Sequence, residues 1–158
     1  MTNGEKWHGS TSWASSPGVR RSMQSNKGKN TKPELRIRSA LHALGTRYHV
    51  HARPLPNLKY EADLVFTKAR IAVFIDGCYW HVCPDHHTSP KTNAEFWARK
   101  FEGNQRRDAE TDRLLREAGW QVIRIWEHED VEAAAAQIYN GWAAAVGRPG
   151  LQPSGASD

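Results

Sequence analysis

Both cysteines of this chain fall in one short run behind an apolar strand pattern, and no other feature constrains the fold as strongly. The run reads Cys78-Tyr79-Trp80-His81-Val82-Cys83-Pro84-Asp85-His86 and directly follows Asp76-Gly77. Two residues separate Cys83 from His86, a spacing at which two side chains of one tight loop reach a single ion. Thiolates and imidazoles at such spacings are typical of tetrahedral zinc sites. The run therefore predicts a metal site that needs one further ligand from elsewhere.

The best candidate for that ligand is His128, which ends a later apolar strand pattern. Four protein ligands would close the coordination shell, so a structural zinc is favoured over a catalytic one. The predicted ligands are Cys78, Cys83, His86 and His128, with His87 as an alternative to His86. A disulfide between the two cysteines and a pair of buried thiols are the competing interpretations. The disulfide is disfavoured because nothing resembles a signal peptide, so we expect a reducing, cytoplasmic compartment.

The length and net charge of the chain favour a single domain that binds a polyanion. The chain has 158 residues, a net charge of +5 and a pI near 9.4, which together favour a single core and a nucleic acid partner. No run approaches the roughly 20 apolar residues of a membrane span. Residues 1–30 predict a flexible basic arm, in which Arg20 and Arg21 order against DNA phosphates. The predicted domain covers residues 31–147, and residues 148–158 form a disordered tail.

The middle of the chain predicts an α/β fold. Thr31 and Glu34 form a capping-box pattern at a helix start, and Gly45 follows the helical stripe. Strands are predicted over residues 47–52, 60–66, 70–76 and 121–126. A long helix is predicted from Thr92 to about residue 118, with Gly103 as a point of interruption, and a last helix over residues 129–146.

Several of these stretches carry a family resemblance. The chain resembles the very short patch repair (Vsr) DNA mismatch endonucleases in the order of its motifs over roughly residues 20–130. The matching stretches are Thr31-Lys32-Pro33-Glu34-Leu35, Ala62-Asp63-Leu64-Val65-Phe66, Val73 to His81, Cys83-Pro84-Asp85-His86, Phe96-Trp97 with Lys100, Asn104, Arg107 and Asp108, Gly119-Trp120, and Trp126-Glu127-His128.

The resemblance implies a single compact nuclease core related to PD-(D/E)xK enzymes, with a central mixed sheet flanked by helices and a structural zinc. It also implies a magnesium-dependent nick beside the T of a T:G mismatch left by deamination of 5-methylcytosine. No Glu-x-Lys follows Asp63 on the next strand. Vsr-like enzymes lack that motif as well and use a histidine, so the departure fits the family.

Asp63 is the strongest candidate for a magnesium ligand, because a carboxylate within an apolar strand is costly unless a cation or hydrogen bonds balance it. A structural aspartate paired with an arginine is the alternative. If the following turn centres on Lys68, residue 63 opposes residue 73, and Ile75 shares its face while Asp76 does not. The Ile75 carbonyl then binds magnesium, as the corresponding carbonyl does in the family, or a bulge turns Asp76 inward. A turn residue is the other interpretation of Asp76.

His81 is the candidate general base, since an imidazole titrates near neutral pH. A further zinc ligand is the competing interpretation, which the four predicted ligands make unnecessary. Glu34 matches an active-site glutamate of the family, although its place in the capping box explains it equally well.

The resemblance also assigns DNA contacts. Tyr79 and Trp80 correspond to aromatics that wedge into the DNA beside the mismatch, and Met23 corresponds to a further wedge from the N-terminal arm. Packing of Trp80 in the core is the alternative. Lys100, Asn104, Arg107 and Asp108 are spaced to share one helical face, for which phosphate contact is expected, with a solvated charged face as the alternative.

Taken together, the sequence predicts a monomeric, zinc-stabilised, magnesium-dependent nicking endonuclease that acts on double-stranded DNA with a T:G mismatch. We expect it in the bacterial cytoplasm, on the nucleoid, with accessory mismatch-repair proteins as further partners. The alternatives are a Vsr-like nicking nuclease of a modification or defence system, a zinc-structured DNA-binding module without catalysis, and a zinc hydrolase of small molecules.

Overall fold

The computed structural model describes residues 29–78, 81–87 and 90–152. Within these ranges the chain forms helices and strands in the order α1 (Lys32–Ala43), β1 (His49–Ala52), β2 (Ala62–Phe66), β3 (Ile71–Asp76), α2 (Ala94–Glu117), β4 (Gln121–Trp126) and α3 (Val131–Val146). Five residues for which DNA contacts are predicted lie outside the described residues: Arg20, Arg21, Met23, Tyr79 and Trp80.

The four strands form one mixed sheet in the order β1-β2-β3-β4. The pairs β1–β2 and β2–β3 are antiparallel, and β4 joins β3 in parallel after the crossover through α2. The parallel pair places the ends of β3 and β4 side by side, with Asp76 opposite Trp126. The loops that follow both strands therefore meet at one edge of the sheet.

Helices cover both faces of the sheet. Helices α1 and α3 pack on one face, where Ile37, Leu41 and Ile138 join Leu64, Val73 and Ile125 in the larger core. On the other face, Leu115 of α2 packs with Val65, Ala72, Phe74 and Trp120. This arrangement confirms the predicted α/β class, the central mixed sheet and its flanking helices.

The register of the β2–β3 hairpin differs from the prediction. The turn is centred between Lys68 and Ala69 and not on Lys68, because Leu64 faces Val73 and Phe66 faces Ile71. Asp63 therefore falls opposite Phe74, and side-chain alternation puts Asp76 on the same face as Asp63. The predicted opposition of residues 63 and 73 is wrong, and Asp76 turns towards Asp63 without a bulge.

Two helix starts also differ from the prediction. Thr31 is the N-cap of α1, but its side chain makes no capping hydrogen bond, so the capping-box explanation of Glu34 is wrong. Helix α2 begins after Asn93, which is left-handed with φ 56°, and not at Thr92. The helix continues through Gly103 without interruption, and buried side chains lie on both sides of that glycine, at Phe101 and Asn104.

No helix in the described ranges is long and apolar enough to cross a membrane.

Candidate active site and cysteine–histidine cluster

A cleft of about 400 Å³ opens on the α2 face of the sheet, at the ends of β2 and β3. The strands and the following loop supply Asp63, Ile75, Asp76 and His81, and α2 supplies the opposite wall. The residues of that wall are Lys100, Asn104, Arg107, Asp108 and Thr111. Folding thus brings together residues that lie more than forty positions apart, as the register and the crossover through α2 require.

Asp63 is held at the floor of this cleft by the backbone. Its Oδ2 accepts a hydrogen bond of 2.7 Å from the Ile75 N–H. Burial and, to a lesser extent, the negative charges of Glu34 and Asp76 raise the pKa of Asp63 to about 6. The hydrogen bond from Ile75 lowers the pKa but does not offset burial. The floor therefore carries more negative charge than its surroundings compensate, which is the electrostatic condition for binding a cation.

Ile75 contributes its backbone to the same place. Its N–H points towards Asp63, and in a strand the N–H and C=O of one residue point to the same side. A carboxylate oxygen and a carbonyl oxygen are the donor types that magnesium prefers. The residues present thus fit a hard divalent cation.

His81 stands on the rim and is oriented by α2. Its Nδ1 lies 2.5 Å from Oδ2 of Asp108 and 3.9 Å from Oδ1 of Asp76. Burial opposes protonation of the ring, but the hydrogen bond to Asp108 and the two carboxylate charges outweigh it, so the pKa of His81 is raised. Since Nδ1 is engaged by Asp108, Nε2 is the nitrogen available for proton transfer.

Asp76 is paired with Arg124 of β4. The Arg124 Nη1 donates to both oxygens of Asp76 at 2.9 and 3.0 Å, and Nε donates to Asp112 at 3.0 Å. The guanidinium also lies 4.4 Å from the centre of the Phe74 ring. Burial raises the pKa of Asp76, and Arg124 opposes that rise. Arg124 thereby joins β3, β4 and α2 directly behind His81.

Glu34 is buried at the back of Asp63, with only 2% of its surface exposed. Its Oε1 accepts a hydrogen bond of 3.3 Å from Arg38 and lies 2.9 Å from Nε2 of His51. The Nδ1 of His51 is 4.0 Å from Oδ1 of Asp63. Glu34 thus faces the predicted catalytic aspartate across a histidine of β1.

On the wall formed by α2, Arg107 donates a hydrogen bond to Asn104, and its guanidinium lies 5.8 Å from the centre of the Tyr60 ring. Lys100 and Arg107 are exposed at the mouth of the cleft, while Asn104 is buried. These three residues, predicted to contact phosphates, therefore line one wall opposite Asp63.

The cysteine–histidine cluster lies beside the cleft, where the loops after β3 and β4 meet. The donor atoms of Cys78, Cys83, His86 and His128 all lie within 4.8 Å of one another. His128 Nδ1 is 3.1 Å from the Cys78 sulfur and 3.6 Å from the Cys83 sulfur. A tetrahedral zinc ion places sulfur and nitrogen ligands about 3.5 Å apart, so this donor set fits zinc.

The neighbouring His87 points elsewhere. Its ring packs edge-on against Phe101 of α2, with 4.7 Å between ring centres. His86 is the histidine that joins the cluster, 3.7 Å from the Cys83 sulfur. Both cysteines are free thiols, so the competing disulfide is absent from the described residues.

Comparison with known proteins identifies the family to which this chain belongs. The family model "DNA mismatch endonuclease Vsr" matches residues 17–89. The Type II nicking enzyme V.NaeI of Lentzea aerocolonigenes is 46% identical over 123 residues, which cover 77% of this chain and 74% of that protein. The chain belongs to the Vsr family of endonucleases. It is therefore an enzyme that cleaves nucleic acid within the strand.

Two further relatives are less similar to this chain. The Type II nicking enzyme V.XorIIP of Xanthomonas oryzae pv. oryzae (strain KACC10331 / KXO85) is 36% identical over 75% of this chain and 87% of its own length. The DNA mismatch endonuclease Vsr of Escherichia coli (strain K12) is 32% identical over 68% of this chain and 67% of its own length.

Sequence reasoning missed two residues of this Vsr-family site, His51 and Arg124, and the role of a third, Asp108. Asp108 was recognised within a motif, but its contact with His81 depends on the packing of α2 against the sheet. Arg124 lies in an apolar strand, where its charge signals a buried carboxylate partner. His51 carried no signal, because a histidine in a short edge strand is unremarkable until its place opposite Asp63 is known.

Proposed function

We propose that this enzyme nicks one strand of duplex DNA by magnesium-dependent hydrolysis of a phosphodiester, as the nicking partner of a DNA modification system. The observation that carries the proposal is the meeting of Asp63, the Ile75 backbone and the His81–Asp108 pair in one cleft. The proposed nuclease domain spans residues 31–147. A relation to PD-(D/E)xK enzymes stays a prediction.

The catalytic magnesium would be held by Asp63 and the Ile75 carbonyl, where it would stabilise the charge that develops on the phosphate. His81 acts as the general base: its Nε2 takes a proton from the attacking water, and Asp108 holds the opposite nitrogen. The exposed cations Lys100 and Arg107 orient the phosphate in the cleft, and the Asn104 amide contributes polar contacts. Asp76, Glu34 and Arg124 shape the field around these groups.

The proposed structural zinc is held by Cys78, Cys83, His86 and His128. It would fix the loop that follows β3 and, with it, the position of His81, which lies between Cys78 and Cys83 in sequence. Four protein ligands leave no open position for a substrate, so the small-molecule hydrolase alternative is not favoured. The non-catalytic DNA-binding module is likewise not favoured for a member of an endonuclease family.

The substrate is proposed from the relatives. The relative at 46% identity is named a Type II nicking enzyme, and the relative at 32% identity a mismatch endonuclease. This order favours an enzyme that accompanies a modification system over a general T:G repair enzyme. A T:G mismatch left by deamination of a methylated cytosine is the substrate we propose to test first.

The remaining contacts stay predictions from the sequence. Tyr79, Trp80 and Met23 are proposed as wedges at the mismatch, and Arg20 and Arg21 as phosphate contacts of the N-terminal arm. A monomer in the bacterial cytoplasm, bound to the nucleoid and assisted by mismatch-repair proteins, is part of the same proposal.

The decisive experiment incubates the zinc-loaded protein with end-labelled duplexes that carry T:G, C:G or T:A at one position, with magnesium or with EDTA. We expect a single nick in the T:G duplex that requires magnesium and disappears in Asp63→Ala. Glu95→Gln, an exposed carboxylate at the start of α2, serves as the matched control and should nick normally. Cleavage by Asp63→Ala, or cleavage in EDTA, would contradict the mechanism. Equal nicking of all duplexes would contradict the substrate alone.

A further inference from the structure

His51 occupies an unusual place for a histidine. The strand pairs Val50–Leu64 and Ala52–Ala62 put His51 directly opposite Asp63. Its backbone is left-handed, with φ 49°, in the middle of β1. A non-glycine residue rarely adopts that conformation, and inside a strand it turns the side chain away from its regular direction. The His51 ring consequently lies between Glu34 and Asp63, with Nε2 towards Glu34 and Nδ1 4.0 Å from Oδ1 of Asp63.

The Nε2 atom of His51 is buried but makes no hydrogen bond within the described structure. It lies 2.9 Å from the Glu34 carboxylate, yet the two groups do not have hydrogen-bond geometry. A buried polar nitrogen without a hydrogen bond loses its solvation without compensation. The arrangement is typical of two groups that flank a common point and not of a donor aimed at its acceptor.

One nitrogen and two carboxylates meet at that point. Ligand atoms of Glu34, His51 and Asp63 lie within 4.8 Å of one another, a spread that matches the ligands of one small cation. Arg38 contacts the same Oε1 atom of Glu34 that faces His51. One guanidinium and the His51 ring therefore adjoin the two carboxylates.

We propose that Glu34, His51 and Asp63 form a second cation site that prefers a first-row transition ion such as Mn²⁺ to Mg²⁺. Magnesium favours oxygen ligands alone, whereas a site of mixed nitrogen and oxygen donors binds the first-row divalent metals from Mn²⁺ onwards. The site shares Asp63 with the magnesium site proposed above, but it uses the opposite neighbours, on α1 and β1. Its existence is therefore separable from the nicking mechanism.

A directly bound imidazole has a spectroscopic signature. Manganese bound to histidine nitrogen shows ¹⁴N coupling in pulsed electron paramagnetic resonance, and manganese bound to oxygen ligands alone does not. The measurement uses the full-length, zinc-loaded protein without DNA, titrated with Mn²⁺. Zinc occupies the cysteine–histidine cluster, so His86 and His128 contribute no signal.

Two histidines of the same strand provide a matched pair of variants. His51→Gln removes the ligand, and His49→Gln changes an exposed histidine two residues away. We expect ¹⁴N coupling in the wild type and in His49→Gln, and its loss in His51→Gln together with a fall in Mn²⁺ affinity of roughly 10- to 100-fold, at least the effect of losing a supporting contact. Glu34→Gln should weaken Mn²⁺ binding while keeping the coupling at saturation.

Three results would overturn the proposal: no ¹⁴N coupling in the wild type, coupling that persists in His51→Gln, or Mg²⁺ that displaces Mn²⁺ at equal concentration. The first would leave His51 as an ion-pair partner of Glu34. Nicking of the T:G duplex by His51→Gln in magnesium alone reports separately on the mechanism. A failed second site and a failed nicking mechanism therefore give different results.

Discussion

At the scale of single residues, the site gathers carboxylates whose burial is costly unless their charge is balanced. Asp63, Asp76 and Glu34 lie close together and are largely buried. Burial raises the pKa of Asp63 to about 6 from an ordinary value of 3.8. In the metal-free protein, the ionised form of this carboxyl is therefore a destabilising group that a bound cation would neutralise.

This cost predicts that Asp63→Asn stabilises the metal-free protein. The folded-state pKa lies above the unfolded value, so the contribution of Asp63 to the stability of the wild type is most favourable below pH 4 and is lost as the pH rises through about 6. An amide keeps an acceptor for the Ile75 N–H but carries no charge. We expect Asp63→Asn to gain about 2–3 kcal/mol at pH 7.5 and almost nothing at pH 4.

Urea unfolding of the EDTA-treated variant and wild type at both pH values measures this gain. Glu95→Gln, whose side chain is 92% exposed, should change the stability little at either pH. Equal effects of Asp63→Asn at pH 4 and pH 7.5 would show that burial of the charge is not the cause.

The general base gives the second prediction at this scale. His81→Ala should slow the single-turnover nicking rate by roughly 100-fold or more, because it removes the group that accepts the proton. DNA affinity and zinc content should stay close to those of the wild type. His42→Ala, at an exposed position late in α1, is the control. Loss of zinc in His81→Ala would instead identify it as part of the metal cluster.

At the scale of helices and strands, the sequence predicted which elements form but not how they align. The four strands and three helices follow from apolar patterns and stop residues such as Gly45 and Gly119, and the mixed sheet is implied by the family resemblance. The register of β2 on β3 does not follow from those patterns. Leu64 and Val73 are buried on one face of the sheet, and Val65 and Ala72 are buried on the other. When neither face is solvated, alternation of hydrophobic residues no longer distinguishes two registers.

Arg124 is the contact that fixes β4 and α2 relative to β3. Arg124→Gln should destabilise the protein by about 3 kcal/mol, since it leaves the carboxylates of Asp76 and Asp112 buried without their partner. Arg113 is a matched control on α2, because it pairs with Glu110 and Glu117 at the surface. Arg113→Gln should cost less than about 1 kcal/mol. Thermal unfolding of both variants compares the two, and equal losses would contradict the anchoring role.

At the scale of the whole molecule, the cysteine–histidine cluster joins segments fifty positions apart in the chain, at the ends of β3 and β4. Its members could be predicted because the sequence holds two cysteines and few combinations of histidines. The cleft could be predicted only in part. Asp63 and His81 are marked by their local context, whereas His51, Asp108 and Arg124 gain their roles from packing between distant elements.

Removal of zinc should destabilise the loop after β3 and abolish nicking at physiological temperature, since that loop has little core of its own. Metal analysis of His86→Gln and His87→Gln distinguishes the two neighbouring histidines. We expect His86→Gln to lose most of its zinc and His87→Gln to keep one equivalent. The reverse result would exchange the two roles, and full zinc in Cys83→Ser would reject the site.

The left-handed turn at His51 also bears on how copies of this protein behave in a crowded solution. Strand β1 is an edge of the sheet within the described part of the chain, and a regular exposed edge is a template on which another chain adds a strand. Strand β1 has only four residues, and its backbone leaves the extended conformation at the third, His51, so it is a poor template. The same backbone irregularity that carries an imidazole to Asp63 therefore protects the sheet against edge-to-edge aggregation.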